Sequence, residues 1–169
     1  MKETLLTVLE NTRLADGIYR LRLAGDTSAI TAPGQFVNLK LSGFFLRRPI
    51  SVCDWENGEV TLIYKVLGHG TEAMTGMAVG TALDVLTGLG NGFDLSRSGE
   101  HPLLVGGGVG IPPLYGLAKR LTAQGKRVTA VLGFNRKSEF FLAEEFRALG
   151  AEVVIALSLI HISEPTRPL

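Results

Sequence analysis

Hydrophobic and polar positions along the chain follow two different rhythms. From Thr4 to about Leu86, short β-type runs recur, as in Leu5-Leu6-Thr7-Val8-Leu9, Ile18-Tyr19-Arg20-Leu21-Arg22-Leu23 and Gln35-Phe36-Val37-Asn38-Leu39. Breakers at Asp16-Gly17, Pro33-Gly34 and Asn57-Gly58 punctuate them. Asn57-Gly58 separates Ser51–Trp55 from Glu59–Val66, and an Asn-Gly pair between two such runs is a strong hairpin signal because both residues tolerate positive φ. A small antiparallel barrel or sandwich is expected.

After roughly Ser98 the rhythm changes. Leu103-Leu104-Val105 and Val128–Gly133 read as buried strands, and Pro112–Gln124 reads as a helix. Phe140, Leu142, Phe146 and Leu149 predict a second helix over Glu139–Leu149, which Gly150 ends before a third strand at Glu152–Ile155. The order β-α-β-α-β implies a parallel sheet with right-handed crossovers. The expected fold class is therefore β plus α/β: an N-terminal antiparallel β-barrel over residues 1–98, then an incomplete parallel-sheet nucleotide-binding domain over residues 99–156.

Leu157–Arg167 break this pattern where a third strand should hand over to another helix. The eleven residues match the codon-by-codon translation of a transposase sequencing adapter. Residues 157–169 are therefore expected to be a non-native tail, excluded from fold reasoning, with the native chain continuing beyond Ala156.

Composition narrows the function classes. With 46% hydrophobic and 20% charged residues, the 169-residue chain can bury a core. Its 17 basic and 16 acidic residues leave a net charge of +1, no field for gathering nucleic acid or an anionic membrane surface. No apolar run approaches the roughly 20 residues that span a bilayer, and Met1-Lys2-Glu3-Thr4 opens no secretion signal. A cytoplasmic protein is expected. The single cysteine, Cys53, excludes an internal disulfide framework and any multi-cysteine metal site within these residues. No His/Asp/Ser or paired-carboxylate constellation appears, so no catalytic residue and no metal ligand is assigned.

Three segments carry candidate chemistry. In Leu46–Val52, Arg48 can clamp a pyrophosphate, Pro49 fixes the backbone, Ile50 can pack on a flat ring, and Ser51 can hydrogen-bond near a ring nitrogen. Equally, an edge strand begun by proline with solvated arginines would read this way. Ile63-Tyr64-Lys65 ends the next strand, and Gly68-His69-Gly70-Thr71 forms a turn that can be a second phosphate grip or a plain loop capped by Thr71. The third segment runs from His101 through Gly106-Gly107-Gly108-Val109-Gly110 to Pro112-Pro113, a strand, a glycine turn and a proline-begun helix where a pyrophosphate would sit. Its spacing departs from Gly-x-Gly-x-x-Gly. After the second strand, Gly133–Lys137 offers no acidic residue for a ribose, which leaves NAD and NADP undecided.

Arg48–Ser51, Ile63–Lys65, Gly70-Thr71, Leu89–Phe93 and Val105–Leu114 resemble, in order and spacing, the ferredoxin–NADP reductase superfamily. Within it the chain is most similar to the electron-transfer subunits of NAD-linked dihydroorotate dehydrogenases. The resemblance covers about residues 4–156. It implies an FAD-binding barrel contacting FAD through Arg48, Pro49, Ile50, Ser51, Ile63, Tyr64, Lys65, Gly70 and Thr71. It also implies a weaker NAD site at Gly106, Gly107, Gly108, Gly110 and Pro112. The implied partner is a catalytic dihydroorotate dehydrogenase subunit in a hetero-oligomer, serving pyrimidine biosynthesis. Members of that family hold a 2Fe–2S cluster on four C-terminal cysteines; this chain has none after Cys53, so the cluster is expected only in a full-length protein. Two other readings stay open: another ferredoxin–NAD(P) reductase-type flavoprotein subunit, such as a ferredoxin oxidoreductase or a hydrogenase-linked diaphorase, and a non-redox nucleotide-binding module.

Overall fold

The computed structural model describes residues 1–158. Of the expected tail over 157–169, only Leu157 and Ser158 fall among them, and the remainder lies outside the described residues. Strands β1 (Lys2–Ala15), β2 (Ile18–Ala24), β3 (Phe36–Leu39), β4 (Arg48–Glu56), β5 (Glu59–Lys65) and β6 (Ala82–Leu89) close into an antiparallel barrel in the order β1-β2-β5-β4-β3-β6. Alternation drives it. Leu21 and Leu23 of β2, Val60, Leu62 and Tyr64 of β5, and Leu6 and Val8 of β1 fill the interior, while Arg20, Arg22 and Thr61 face outward. Closure depends on the length of β1, whose first half pairs with β6 (Lys2↔Thr87 to Thr7↔Ala82) and whose second half pairs with β2. The β4–β5 hairpin turns at Asn57 and Gly58 with φ of 51° and 79°, as the Asn-Gly signal requires. Between β5 and β6, helix α1 (His69–Met74) inserts Met74 into the barrel core.

Strands β7 (Leu103–Gly107), β8 (Thr129–Phe134) and β9 (Glu152–Leu157) form a parallel sheet in the order β7-β8-β9. Helices α2 (Ile111–Ala123) and α3 (Ala143–Ala148) supply Ile111, Leu117, Leu121 and Phe146 to a core shared with Leu104, Ala130 and Leu132. The barrel-plus-parallel-sheet fold class matches the sequence reading. The second helix does not span Glu139–Leu149. Phe140 and Phe141 leave the helical path because their rings pack on Phe134 at centroid distances of 4.7 and 5.7 Å, and Leu142 turns the chain at a φ of 65° before α3 begins. The apparent helical period there belongs to an aromatic plug followed by a shorter helix.

A seam joins the two parts. Ile18, Cys53 and Ile63, from the outside of the barrel, belong to the core of the α/β part. Gly116 of α2 lies so close to β4 that an added Cβ would stand 2.7 Å from the Cys53 carbonyl oxygen. One turn on, Lys119 Nζ pairs with Asp54 at 2.9 Å and Glu56 at 3.4 Å, and the Arg120 guanidinium stacks 3.5 Å from the Trp55 ring centroid. Gly116→Ala should therefore destabilise the protein by about 1–3 kcal/mol through overpacking, read as a lowered urea midpoint in the fluorescence of Trp55. Burial, reinforced by the Asp54 carboxylate, pushes the Cys53 thiol pKa up. A thiol reagent at neutral pH should accordingly modify Cys53 slowly in the native protein and rapidly once denaturant opens the seam.

Candidate functional site

Strands β4 and β5 are ladder partners only from Val52↔Leu62 to Glu56↔Glu59. Arg48–Ser51 pair with β3 alone, and Ile63–Lys65 pair with β2 alone. The strands therefore diverge, leaving backbone edges free of ladder bonds toward each other. The wedge between them is a cavity of about 210 Å³ lined by Pro49, Ile50, Ser51, Ile63, Tyr64, Lys65, Leu67, Thr71 and Val109. Two of the segments singled out for chemistry, Arg48–Ser51 and Ile63–Lys65 with Thr71, are thus brought to one place, joined by Val109 of the third.

Arg48 closes the end of this wedge. Its guanidinium lies against Gly70, where an added Cβ would stand 2.2 Å from Nε, and it packs 5.1 Å over the Phe44 ring. Among the described residues it makes one hydrogen bond, to the Leu46 carbonyl at 2.5 Å, which leaves most of its donors without a partner there. Arg47, its neighbour, is fully engaged, donating to Glu3, to Asp84 and to the carbonyls of Asn38 and Asp84. The pleat sends the two arginines to different tasks, one tying β1, β3 and β6 together and one facing the turn at Gly70.

The structure places three residues differently from a simple lining role. Tyr64 contributes backbone, because its ring is buried, stacks on Tyr19 at 5.6 Å and donates its hydroxyl to Asn11 Oδ1 at 2.9 Å. Thr71 uses its hydroxyl within its own loop, accepting from the N–H groups of Leu67 and Gly68. Gly106 sits beneath α2, where an added Cβ would stand 2.6 Å from Leu114. Asn11 is a residue that sequence reasoning missed: it holds Tyr64 and donates to the carbonyls of Met74, the last residue of α1, and Met77, just past it. Nothing in its local sequence marks this, since its partners lie 63 and 66 residues away.

The glycine turn borders a second cavity of about 370 Å³, which Gly107, Gly108, Val109, Gly133, Phe134, Asn135, Glu139 and Phe141 line from the sheet side and Ile18, Lys65 and Leu67 line from the barrel side. Gly110 stands at the start of α2 and Pro112 is buried within it, so these two do not line the cavity. Lys65, Leu67 and Val109 border both cavities, so the two adjoin in a cleft between barrel and sheet. The Lys65 side chain has no hydrogen bond or ion pair among the described residues. His69 stays at the surface, and among the described residues no cluster of His, Cys, Asp or Glu could hold a metal ion. No helix among them is long and apolar enough to cross a membrane.

A six-stranded antiparallel barrel docked on a parallel sheet with a glycine turn is a ferredoxin–NADP reductase-like fold. Solved structures share this fold. The NADH-dependent reduced ferredoxin–NADP oxidoreductase superposes with a TM-score of 0.81 at 30% identity, covering 91% of this chain and 57% of that one. Phthalate dioxygenase reductase gives 0.78 at 21%, covering 99% and 54%. By sequence, the dihydroorotate dehydrogenase B (NAD(+)) electron transfer subunit of Bacillus pumilus (strain SAFR-032) is 46% identical over 158 residues, covering 89% of this chain and 61% of the relative. The same subunit of Geobacillus sp. (strain WCH70) is 42% identical, covering 95% and 66%. Over the shared residues the chain is thus a homologue of dihydroorotate dehydrogenase B electron transfer subunits. It spans less than two thirds of the length of these curated relatives. No protein-family model matches it.

The two arginines separate experimentally. Arg47→Ala should cost about 1.5–3 kcal/mol of stability by removing a charge bonded to several acceptors, whereas Arg48→Ala should cost about 1 kcal/mol or less. Thermal melts of the two variants measure the difference.

Proposed function

We propose that this chain is the FAD-holding, nicotinamide-facing part of a cytoplasmic electron-transfer subunit that passes electrons from a dihydroorotate-oxidising catalytic subunit to NAD+ in pyrimidine biosynthesis. The observation that carries the reading is that Lys65, Leu67 and Val109 border both the strand wedge and the glycine-turn cavity, which places the two side by side. Residues 1–98 form the FAD-binding unit on this reading, and residues 99–156 the first half of the NAD-binding unit. Exposed Leu103, Val105 and Val154 on the uncovered sheet face support the second assignment, because parallel sheets are ordinarily covered on both faces.

The residues fit a flavin dinucleotide. Bound FAD supplies hydride exchange with a nicotinamide, and the protein contributes position and electrostatics. Arg48 offers a fork of free donors to a pyrophosphate, and Gly70, bare of a side chain, lets backbone and guanidinium approach the same group. Pro49 and Ile50 present an apolar surface to a flat ring, and the Ser51 hydroxyl adds a hydrogen-bonding group beside it. Lys65, a cation with no ion-pair partner among the described residues, stands at the junction where added electron density on the ring would need compensation. Gly107 and Gly108 leave room for the approach of a second nucleotide from the sheet side.

A 2Fe–2S cluster needs four ligands, and the single Cys53 is buried in the seam. These residues do not fit a cluster, and no step is assigned to one. The 30% identity to a ferredoxin–NADP oxidoreductase favours, as a second reading, a subunit of that type serving a different electron donor. Copurification with a dihydroorotate-oxidising partner separates the two.

Reconstitution with FAD should give the full chain the visible absorbance of bound flavin. Arg48→Ala should weaken FAD binding about 10–100-fold, the worth of hydrogen bonds to a charged group. A chain that stays colourless after reconstitution overturns the flavin reading.

A further inference from the structure

Leu6 and Val8 of β1 point into the barrel, and continued alternation would send Glu10 inward after them and Asn11 outward. The β1–β2 ladder slips between Val8↔Leu23 and Glu10↔Arg22, a bulge that inserts Leu9 as an extra residue and reverses the alternation. Asn11 therefore stands opposite Leu21 of the barrel core, while Glu10 turns out to Arg20 and Arg22. All the hydrogen-bonding groups of that amide but one lone pair are then used. Carbonyls only accept, so Nδ2 is the atom that donates to Met74 at 2.7 Å and to Met77 at 3.2 Å, and Oδ1 accepts from the Tyr64 hydroxyl at 2.9 Å. Burial pushes the Tyr64 pKa up, which keeps the phenol a donor.

We propose that Asn11 is a positioning residue for the flavin site: it fixes α1 against β5 and so sets how Gly70 meets the Arg48 guanidinium. The inference rests on the flavin reading above. Tyr64 lies between Ile63 and Lys65 on the β5 wall of the wedge, and Met74 ends the helix that carries Gly70, against Arg48, and Thr71, at the wedge. Three bonds from one side chain on β1 thus hold both walls. Asn11 lines no part of the wedge, so its effect passes through Tyr64 and α1. A helix of six residues is too short to keep its own place in water, which leaves its position to Met74 in the barrel core and to these carbonyl bonds. An aspartate at this position would still accept from Tyr64, but it would turn a carboxylate oxygen toward two carbonyl oxygens and release α1.

The test is a double-mutant cycle of FAD titrations, read by flavin fluorescence, on the full chain as wild type, Asn11→Asp, Arg48→Ala and the two combined. Asn11→Asp should raise the Kd about tenfold. Beside Arg48→Ala it should add less than about twofold, because the group that Gly70 is held against is gone. A purely structural contribution would act independently of Arg48 and add in full. Tyr64→Phe deletes the hydroxyl and retains the ring that stacks on Tyr19, so it reads the same coupling even where Asn11→Asp fails to fold. It should raise the Kd about threefold and likewise lose most of that effect beside Arg48→Ala. Full additivity with Arg48→Ala, or a Kd unchanged in Tyr64→Phe, overturns the positioning role and leaves the flavin reading intact. A wild-type chain that binds no FAD overturns both.

Discussion

Everything functional in this molecule depends on strand β4 serving two masters along its length. Its first four residues, Arg48–Ser51, abandon β5 and open the wedge, while its last four, Cys53–Glu56, are gripped by α2. A strand is stiff over that distance, so the grip at one end fixes the orientation of the other. The close approach of Gly116 to the Cys53 carbonyl sets how near α2 can come. Because α2 begins at the glycine turn, the same seam also sets the distance between that turn and the wedge. The lateral bulge at Val52/Asp54 marks the point where β4 changes allegiance.

Charge is distributed to suit that division. Seam and barrel charges are compensated, with Lys119 on Asp54 and Glu56, Arg47 on Asp84 and Glu3, and Glu10 between Arg20 and Arg22. The Arg20 guanidinium holds the Glu10 carboxyl below its ordinary pKa, so this ion cluster keeps its full contribution above the usual carboxylate range and loses it as pH falls. Being partly exposed, it adds modestly to stability. The cleft is different, since among the described residues the Lys65 side chain has no ion-pair partner and the Arg48 side chain is bound to a carbonyl alone. Cations left uncompensated at a concave surface are available to an anionic ligand, whereas compensated ones have already done their work in the fold.

Much of this was legible in the sequence. Turn residues and period-two alternation gave the barrel, and the change to strand-helix spacing after Ser98 gave the parallel sheet, because both follow from local backbone preferences and from which face must be buried. The segments Arg48–Ser51, Ile63–Lys65 and Gly70-Thr71 stood out by composition, and they do meet. The helix expected over Glu139–Leu149 failed because an aromatic run at helical spacing cannot be told from one that packs on a distant ring, here Phe134.

The chain by itself determined the elements, their order and the residue types available for chemistry, since these depend on interactions between near neighbours. Tertiary structure alone decided the rest: that β4 and β5 diverge, that Arg47 is consumed by Asp84 while Arg48 bonds the Leu46 carbonyl and faces Gly70, and that Tyr64 turns inward to Asn11. Each of these rests on contacts between residues far apart in sequence, which no local period encodes.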